Sequence, residues 1–476
     1  MRFSEFFGLG KKQAELDFVD IDIDLDTRLF IDPYAIKIRN DNLSQEFAHH
    51  IVSFFEDVLR SLRDGDEERA EYLTSNLREP QETFLGMSRA QPQGRGVGPF
   101  NAEQLLYALR NSRAIKSGLL SDLADAELFI EGIGPDKISD LTTNIIRAPL
   151  IIYTQQQCEL LGVPYANNVA VAPVWDPDAR TWVSGYQNLP IVNGTPVILV
   201  PKVVVRRKLS LNSQEYYNFH VVNFLQAEHL ARGSGLVKLL KDGTPKVSKK
   251  DVIRDTPFSK EFLADMTQKN PHILEFYKGL KGAQGAISSQ GLDPDFNPRH
   301  LASELIERLR GIPTGDKHAT EYQHAIAGIV TFLFYPDLIS PILEQPMSEG
   351  RKRIDIVYTN WATEGFFGTL KKSPQTRARY IIVECKNYGK DIKNPEFDQL
   401  IGRFGPARGR FGIIACRTND NNAAVEKRSR DAVREEQGLI MVLEDHDFIF
   451  MLDCIVRSNN NEMYRYLEAK YRAIVF

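Results

Sequence analysis

Apolar positions recur along this chain in two rhythms, and the change from one to the other divides it. Over residues 43–75, Phe47, Ile51, Phe54, Phe55, Val58, Leu59 and Leu62 return at three- and four-residue intervals, the spacing of an amphipathic helix. Further helices are expected over 101–147. Residues 17–32 instead alternate Asp with apolar residues, which predicts a half-buried strand. It would carry Asp20, Asp22, Asp24 and Asp26 on one face, ahead of a short strand ending at Asp32-Pro33. From Ile151 to Val205 the apolar pieces are short and broken by Pro and Gly. β elements are expected at Val169–Pro173, Thr181–Ser184 and Val197–Val205, then a helix bearing Tyr216, Tyr217, Phe219, His220 and Phe224. Residues 279–298, rich in Gly, Ser, Asp and Pro, read as a linker.

Beyond the linker the pattern becomes regular. Helices are expected at 299–310 and 318–334, and strands at 341–345, 351–359 and 379–386. A helix at 394–404, a strand at 411–417, a helix at 423–436, a strand at 439–444 and a helix from 446 follow. The stretch Asn360 to Arg379 is too long for a tight hairpin. Three regions result: an acidic, mainly helical 1–150, a basic α+β middle at 151–298, and an α/β region at 299–476.

Length and composition agree with such a division. A chain of 476 residues exceeds one ordinary core. At 42% apolar and 26% charged residues it has the balance of a globular protein. No run of about 18 apolar residues suggests a membrane span, and Met1-Arg-Phe-Ser-Glu-Phe-Phe-Gly8 lacks the apolar core of a secretory signal. The cysteines, Cys158, Cys385, Cys416 and Cys454, are too scattered for a disulfide framework or a zinc site. A reducing cytoplasm is therefore expected.

The net charge of −4 conceals an asymmetry. Residues 1–200 carry 18 basic and 29 acidic residues, whereas residues 351–434 carry 18 basic and 9 acidic. A polyanionic substrate is the simplest reason for the second excess, the alternative being a solvated charged face.

Several familiar chemistries fail on spacing. The Asp ladder lacks the register of an Asp-x-Asp-x-Thr/Val phosphatase motif, so an acidic edge strand or an inter-domain salt-bridge surface is the expectation. Gln91-Pro-Gln-Gly-Arg-Gly-Val-Gly-Pro99 lacks the Gly-Lys-Ser/Thr ending of a phosphate-binding loop. His49 and His50 are adjacent and so point to different sides of a helix. Arg206-Arg-Lys208 beside the aromatics of the following helix offers stacking on bases, with core packing as the alternative.

The arrangement that remains is Asp355 on one strand, with Glu384 and Lys386 on the next. Residues two apart on a strand share a face, so Glu384 and Lys386 point together while Cys385 points away. Phosphodiester hydrolysis needs an activated water and neutralised phosphate charge, which carboxylate-held Mg²⁺ and an ammonium can supply.

Ile354-Asp355, Val383-Glu-Cys-Lys386, Glu384-Cys-Lys-Asn-Tyr388, Glu396-Phe-Asp-Gln-Leu-Ile-Gly402 and Gly412-Ile-Ile-Ala-Cys-Arg417 together resemble the PD-(D/E)xK nuclease superfamily, in particular Mrr-type restriction enzymes. The resemblance covers roughly residues 299–455; Ile354 stands where the pattern has Pro. It implies a multidomain α/β protein whose C-terminal part is a restriction-endonuclease-like α/β/α core with a mixed central sheet, behind a mixed α+β region. It implies a DNA endonuclease using Mg²⁺ or Mn²⁺, serving prokaryotic restriction or anti-phage defence, with the first 298 residues sensing or regulating. Asp355, Glu384, Glu321 and the backbone carbonyl of Cys385 would hold the metal. Lys386 would serve the attacking water, and Gln399 would position substrate. Arg403, Arg410, Arg417 and Lys390 would contact phosphates. DNA, a second copy of the chain and a partner defence subunit are the implied partners. A nucleic-acid-binding scaffold and an RNA-cleaving nuclease of the same fold are the alternatives.

Overall fold

The computed structural model describes residues 1–86, 102–120, 122–343 and 356–476. Two compact units share the chain: Ile21–Ile152 with Ala166–Ile287, and Met1–Asp20 with Tyr153–Tyr165 and Ser288–Phe476. The chain passes between them at 152/153 and 287/288, close to the composition changes in the sequence, and also at 20/21 and 165/166.

The first of these units is largely helical. Its longest helix, α1 (Asn42–Asp64), starts where the Asp41 carboxylate accepts the Ser44 amide at 3.0 Å, and stops at Gly65, which takes the left-handed conformation at φ 71°. The apolar stripe read from the sequence is its buried face. A two-stranded antiparallel ribbon, β1 (Ala166–Asp176) and β2 (Thr181–Leu189), is pinned by two tryptophans. Trp175 and Trp182 pack edge-on against Phe54, and their indole N–H groups donate to Ser53 Oγ and the Leu73 carbonyl at 2.8 and 2.9 Å. Three further helices matter below: α2 (Val222–Ala231), α3 (Lys249–Asp255) and α4 (Pro271–Gly282).

Two strand expectations fall in this first half of the chain and are corrected. Residues 17–26 form no strand beyond isolated bridges: Asp22 turns to its own backbone, its Oδ1 accepting the Asp24 amide at 3.0 Å, while Asp17 and Asp20 bond residues elsewhere in the chain. Val197–Val205 is buried but is interrupted by Pro201 and a short 3₁₀ turn, Lys202–Val204, leaving only Val205–Arg206 as strand, paired with Phe30–Ile31.

The other unit is a mixed α/β structure. It runs α5 (Pro298–Gly311), α6 (Ala319–Phe334), β3 (Leu338–Leu343), β4 (Ile356–Asn360), α7 (Gly365–Lys372), β5 (Tyr380–Lys386), α8 (Asn394–Ile401), β6 (Phe411–Cys416), α9 (Asn422–Arg434), β7 (Leu439–Glu444), α10 (Asp445–Val456) and α11 (Asn460–Val475). The five strands form one sheet in the order β7-β6-β5-β4-β3. β3, β4 and β5 are antiparallel neighbours, whereas β5, β6 and β7 are parallel. The long connection between β4 and β5 is helix α7, and the last expected helix is two. Asp355 and the first part of the strand expected at 351–359 lie outside the described residues.

The two-residue strand period sorts the side chains into two apolar layers. Ile381, Val383, Ile413, Ala415, Met441 and Leu443 face α5, α6 and α10. Ile382, Ile414 and Ile440 face the other way, against Phe397 and Leu400 of α8 and Val425 of α9. Helices thus cover both faces.

The first 20 residues belong to this unit and are held by buried charge. Lys11 donates to the His324 carbonyl at 2.8 Å and lies 3.7 Å from Glu15, whose Oε1 also takes Arg308 at 2.5 Å. Burial pushes the Lys11 ammonium below its usual range, with the Glu15 charge opposing the shift. Gly328 of α6 is needed where this segment crosses: a Cβ there would sit 2.6 Å from Lys11 Nζ and 2.9 Å from Glu15 Oε1. Asp17 accepts the Tyr153 hydroxyl at 2.7 Å and the amide of Ser340 at 3.0 Å. Ser340 has a positive φ of 49° on β3, where the pairing with β4 is irregular, so Asp17 supports a strained point of the sheet. Asp20 accepts both the amide and the hydroxyl of Ser4, at 2.9 and 2.7 Å.

Candidate active site

Glu384 and Lys386 stand on the face of β5 that carries Ile382, and Cys385 turns to the opposite layer. The strand is central in the sheet, with Val383 opposite Ile356 of β4 and Glu384 opposite Ile414 of β6. Glu384 is therefore deeply buried, at 2% exposed. Its Oε1 is paired with Lys386 Nζ, which also donates to Gln399 Oε1 on α8 at 3.3 Å. Gln399 reaches the lysine because α8 lies hard against β6. A Cβ on Gly412 would come within 2.8 Å of the Leu400 side chain, so glycine permits that approach.

Glu384 Oε2 is buried and has no hydrogen-bond partner among the described residues. An unmet carboxylate oxygen in such a place costs about 1–3 kcal/mol or more, so it marks a position where a further group belongs. A hard divalent cation is the group whose chemistry suits a carboxylate oxygen, and Glu384 would hold it. Among the described residues no three His, Cys, Asp or Glu side chains converge as a ready-made metal cage. Asp355, the second acid of the pattern, lies outside the described residues; the next residue, Ile356, is paired with Val383, next to Glu384.

Residues given no role by the sequence complete the surroundings. Asn387 donates through Nδ2 to the carbonyls of Pro313 and Gly315, at 3.1 and 3.0 Å, and its buried Oδ1 has no partner among the described residues. It thereby stitches the end of β5 to the turn that precedes α6. Tyr388 donates to Glu396 Oε1 at 2.6 Å, and the other oxygen of Glu396 accepts the Lys393 amide at 2.9 Å. Burial alone would raise the Glu396 carboxyl, but the hydrogen bonds from Tyr388 and Lys393 hold it below the usual carboxylate range. Burial, aided by the same Glu396, pushes the Tyr388 phenol up. The sequence signal was present in Lys393-Asn-Pro-Glu396, where the Glu side chain closes a helix start three residues on.

The remaining expected residues are dispersed. Glu321, on the first turn of α6, is exposed and pairs with His318 Nδ1 at 2.9 Å, while its neighbour Tyr322 is the buried one. Arg417 is locked beneath the end of β6: Nε lies 3.1 Å from Asp445, Nη2 donates to the Ile312 carbonyl at 2.8 Å, and the guanidinium sits 5.1 Å over the Tyr322 ring. Burial pushes the Asp445 carboxyl up to about 6, although Arg417 and the Tyr322 hydroxyl oppose the shift. Lys390 lies 4.5 Å over the Tyr388 ring, near the lysine end of β5. Arg410 belongs to the opposite end of the sheet, four residues before Ile414 and hence about 13 Å along the strand from the level of Glu384. Its guanidinium donates to the Glu436 carbonyl at 3.3 Å. Arg403 follows α8 on the turn leading back to that same end.

A family model described as a domain of unknown function (DUF8370) matches residues 8–212. That match ends well before β5. No curated protein and no solved structure matches the chain. No helix among the described residues is long and apolar enough to cross a membrane.

Proposed function

We propose that this chain is a metal-dependent endonuclease that hydrolyses phosphodiester bonds of DNA, with its centre on β5. The observation that carries the reading is the buried Glu384, with one oxygen on Lys386 and the other without a partner among the described residues. An acid and a base of this kind, side by side in an apolar sheet, contribute little to folding that apolar residues would not. They suit a reaction that needs both a cation ligand and an ammonium. The mixed five-stranded sheet with helices on both faces agrees with the restriction-endonuclease-like architecture that the sequence resembles.

Glu384 would supply one carboxylate to a divalent ion, with Asp355 as the second acid of the pattern. The ion, when bound, supplies charge neutralisation at the scissile phosphate and makes water a better nucleophile. Lys386 is held from two sides, by Glu384 Oε1 and Gln399 Oε1, so its Nζ is fixed without using all three of its hydrogens. It would orient the attacking water and donate to the phosphate oxygens as negative charge builds there. Gln399 acts through Lys386 as a positioning residue. Restriction or anti-phage defence and action as a dimer follow from the resemblance alone, and a cytoplasmic setting from the scattered cysteines.

The test uses the full chain with plasmid DNA, and with RNA, in Mg²⁺ and in Mn²⁺. Cleavage of DNA by the wild type, lost on chelation and in Asp355→Ala, Glu384→Gln and Lys386→Ala, is the expected result. Equal cleavage by all four proteins would sink the assignment. Cleavage of RNA alone would move the substrate, and binding without cleavage would make the chain a scaffold.

A further inference from the structure

The helical unit carries an aromatic and basic surface of its own. Between the short helix Ser213–Tyr216 and α2 the chain makes one π-helical turn, Tyr217–Val221. Such a turn inserts an extra residue and shifts the side chains that follow, and it persists mainly where the shift is used. Here it leaves Phe219 60% exposed beside His220. From His220 a column of rings leads out to Phe276 on α4. Tyr216 stacks on Tyr277 at 5.3 Å and on His220 at 6.3 Å, and His220 lies 6.1 Å from Phe276. Phe276 is 64% exposed, and Leu280, one turn further along α4, is also exposed.

Two large aromatic rings left in water, Phe276 at the end of that column and Phe219 next to His220 in the chain, are a poor outcome of folding unless something covers them. The charges around them indicate what does. Lys249, at the start of α3, sits 5.6 Å over the Phe219 ring, and Lys250 follows it on the exposed side. Two of the neighbouring acids are neutralised, Glu215 by Lys281 at 2.7 Å, and Asp251 by Lys238 at 2.7 Å and Arg254 at 3.2 Å, while Glu275 and Asp242 are exposed and make no ion pair among the described residues. Lys241, Lys246 and Lys250 are exposed and make no ion pair among the described residues. Over 201–298 the chain has 15 basic and 10 acidic residues. A partner that offers flat apolar faces and a regular negative charge fits this surface, whereas an uncharged or basic protein face does not.

We infer that Phe219, His220 and Phe276, with Lys249, form a platform that binds single-stranded nucleic acid, bases stacking on the rings and backbone phosphates running along the lysines. Base faces are exposed only where strands are unpaired, so duplex is the poorer ligand. The platform stands in a different compact unit from Glu384 and Lys386. Its binding can be measured without metal and does not depend on the cleavage reading.

The experiment is fluorescence anisotropy on the full-length protein in EDTA, with a labelled single-stranded DNA of about 20 nucleotides, the same sequence as RNA, and the DNA duplex. The wild type is expected to bind a single strand more tightly than the duplex, and the two single strands show which sugar is preferred. Phe219→Ala and Phe276→Ala should each weaken that binding about fivefold to a hundredfold, with unchanged thermal unfolding. Phe219→Trp should retain it, because the stacking face is kept. Lys249→Ala should weaken it and flatten the salt dependence by about 0.7 in slope. Absence of single-strand binding by the wild type would overturn the inference, as would alanine variants that bind as well as wild type. So would loss in Phe219→Trp equal to that in Phe219→Ala, or a change of oligomeric state in the alanine variants, which would assign the surface to a second copy. Cleavage lost in Lys386→Ala with anisotropy intact bears only on the catalytic reading.

Discussion

Two sets of buried acids lie in the same compact unit, and they are treated in opposite ways. In the N-terminal segment, Glu15, Asp17 and Asp20 have every carboxylate oxygen engaged, by Arg308, the Lys12 amide, Tyr153, Ser340 and Ser4. On β5, Glu384 is as deeply buried but has one oxygen on Lys386 and the other without a partner among the described residues. Burial alone therefore says nothing about purpose. An acid whose bonds are complete is a fastener, and replacing it should damage the fold. An acid with an unmet oxygen is held ready, and replacing it should damage chemistry while sparing the fold.

The sharpest way to break this contrast is to measure activity and stability on both sides of it. Glu384→Gln and Lys386→Ala should each lower DNA cleavage about 10²-fold or more. Glu384→Gln should shift the free energy of denaturant unfolding by about 1 kcal/mol or less, because the amide still offers Lys386 an acceptor. Asp17→Ala should do the reverse. It strands the Tyr153 hydroxyl and the Ser340 amide in the interior and should lower stability by roughly 2–5 kcal/mol. A Glu384→Gln protein that unfolds as readily as Asp17→Ala would erase the distinction.

Smaller effects test how the ready site is supported. Gly412→Ala places a methyl against Leu400 and should cost about 1–3 kcal/mol. By lifting α8 it should also draw Gln399 away from Lys386, so cleavage should fall further than the stability loss explains; a loss confined to stability would show that Gln399 does no positioning. The least effect is expected from Asp445. Its carboxyl is raised by burial to about 6, so the folded state holds this proton more tightly than the unfolded chain. The stability it contributes is complete below about pH 4 and is lost as pH rises through about 6. Unfolding free energies across that window should slope downward in the wild type, by on the order of 1–2 kcal/mol, and should slope less in Asp445→Asn.

What the sequence disclosed and what it hid follow the same line. The shared face of Glu384 and Lys386 was legible because strand period is a local property. Most helices and strands described after residue 298 were legible because their periods are local too, to within a few residues, but helix α7 and the division of the last helix into α10 and α11 were not. The stretch 17–26 was not, since alternation of Asp with apolar residues looks the same whether the acids line a strand or bond their own backbone, as Asp22 does. The fastening roles of Glu15 and Asp17 were hidden by distance along the chain: Arg308 is 293 residues from Glu15, and Ser340 is 323 from Asp17. That Tyr322 rather than Glu321 turns inward was legible, since Tyr322 shares the helical stripe of Ala325, Ile326, Ile329, Val330 and Leu333.

That separation also governs when the centre on β5 can exist. During synthesis residues 1–20 emerge long before α6 and β3, the elements that receive Lys11 and Asp17. The opening segment must wait, its charges solvated, while nearly the whole polypeptide is translated. Its docking is thus among the last events in building this unit, and a chain cut short before residue 340 lacks both the anchor of Asp17 and strand β5 itself. Trimming the front of the protein would not release an independent sheet unit; it would remove the piece that closes it.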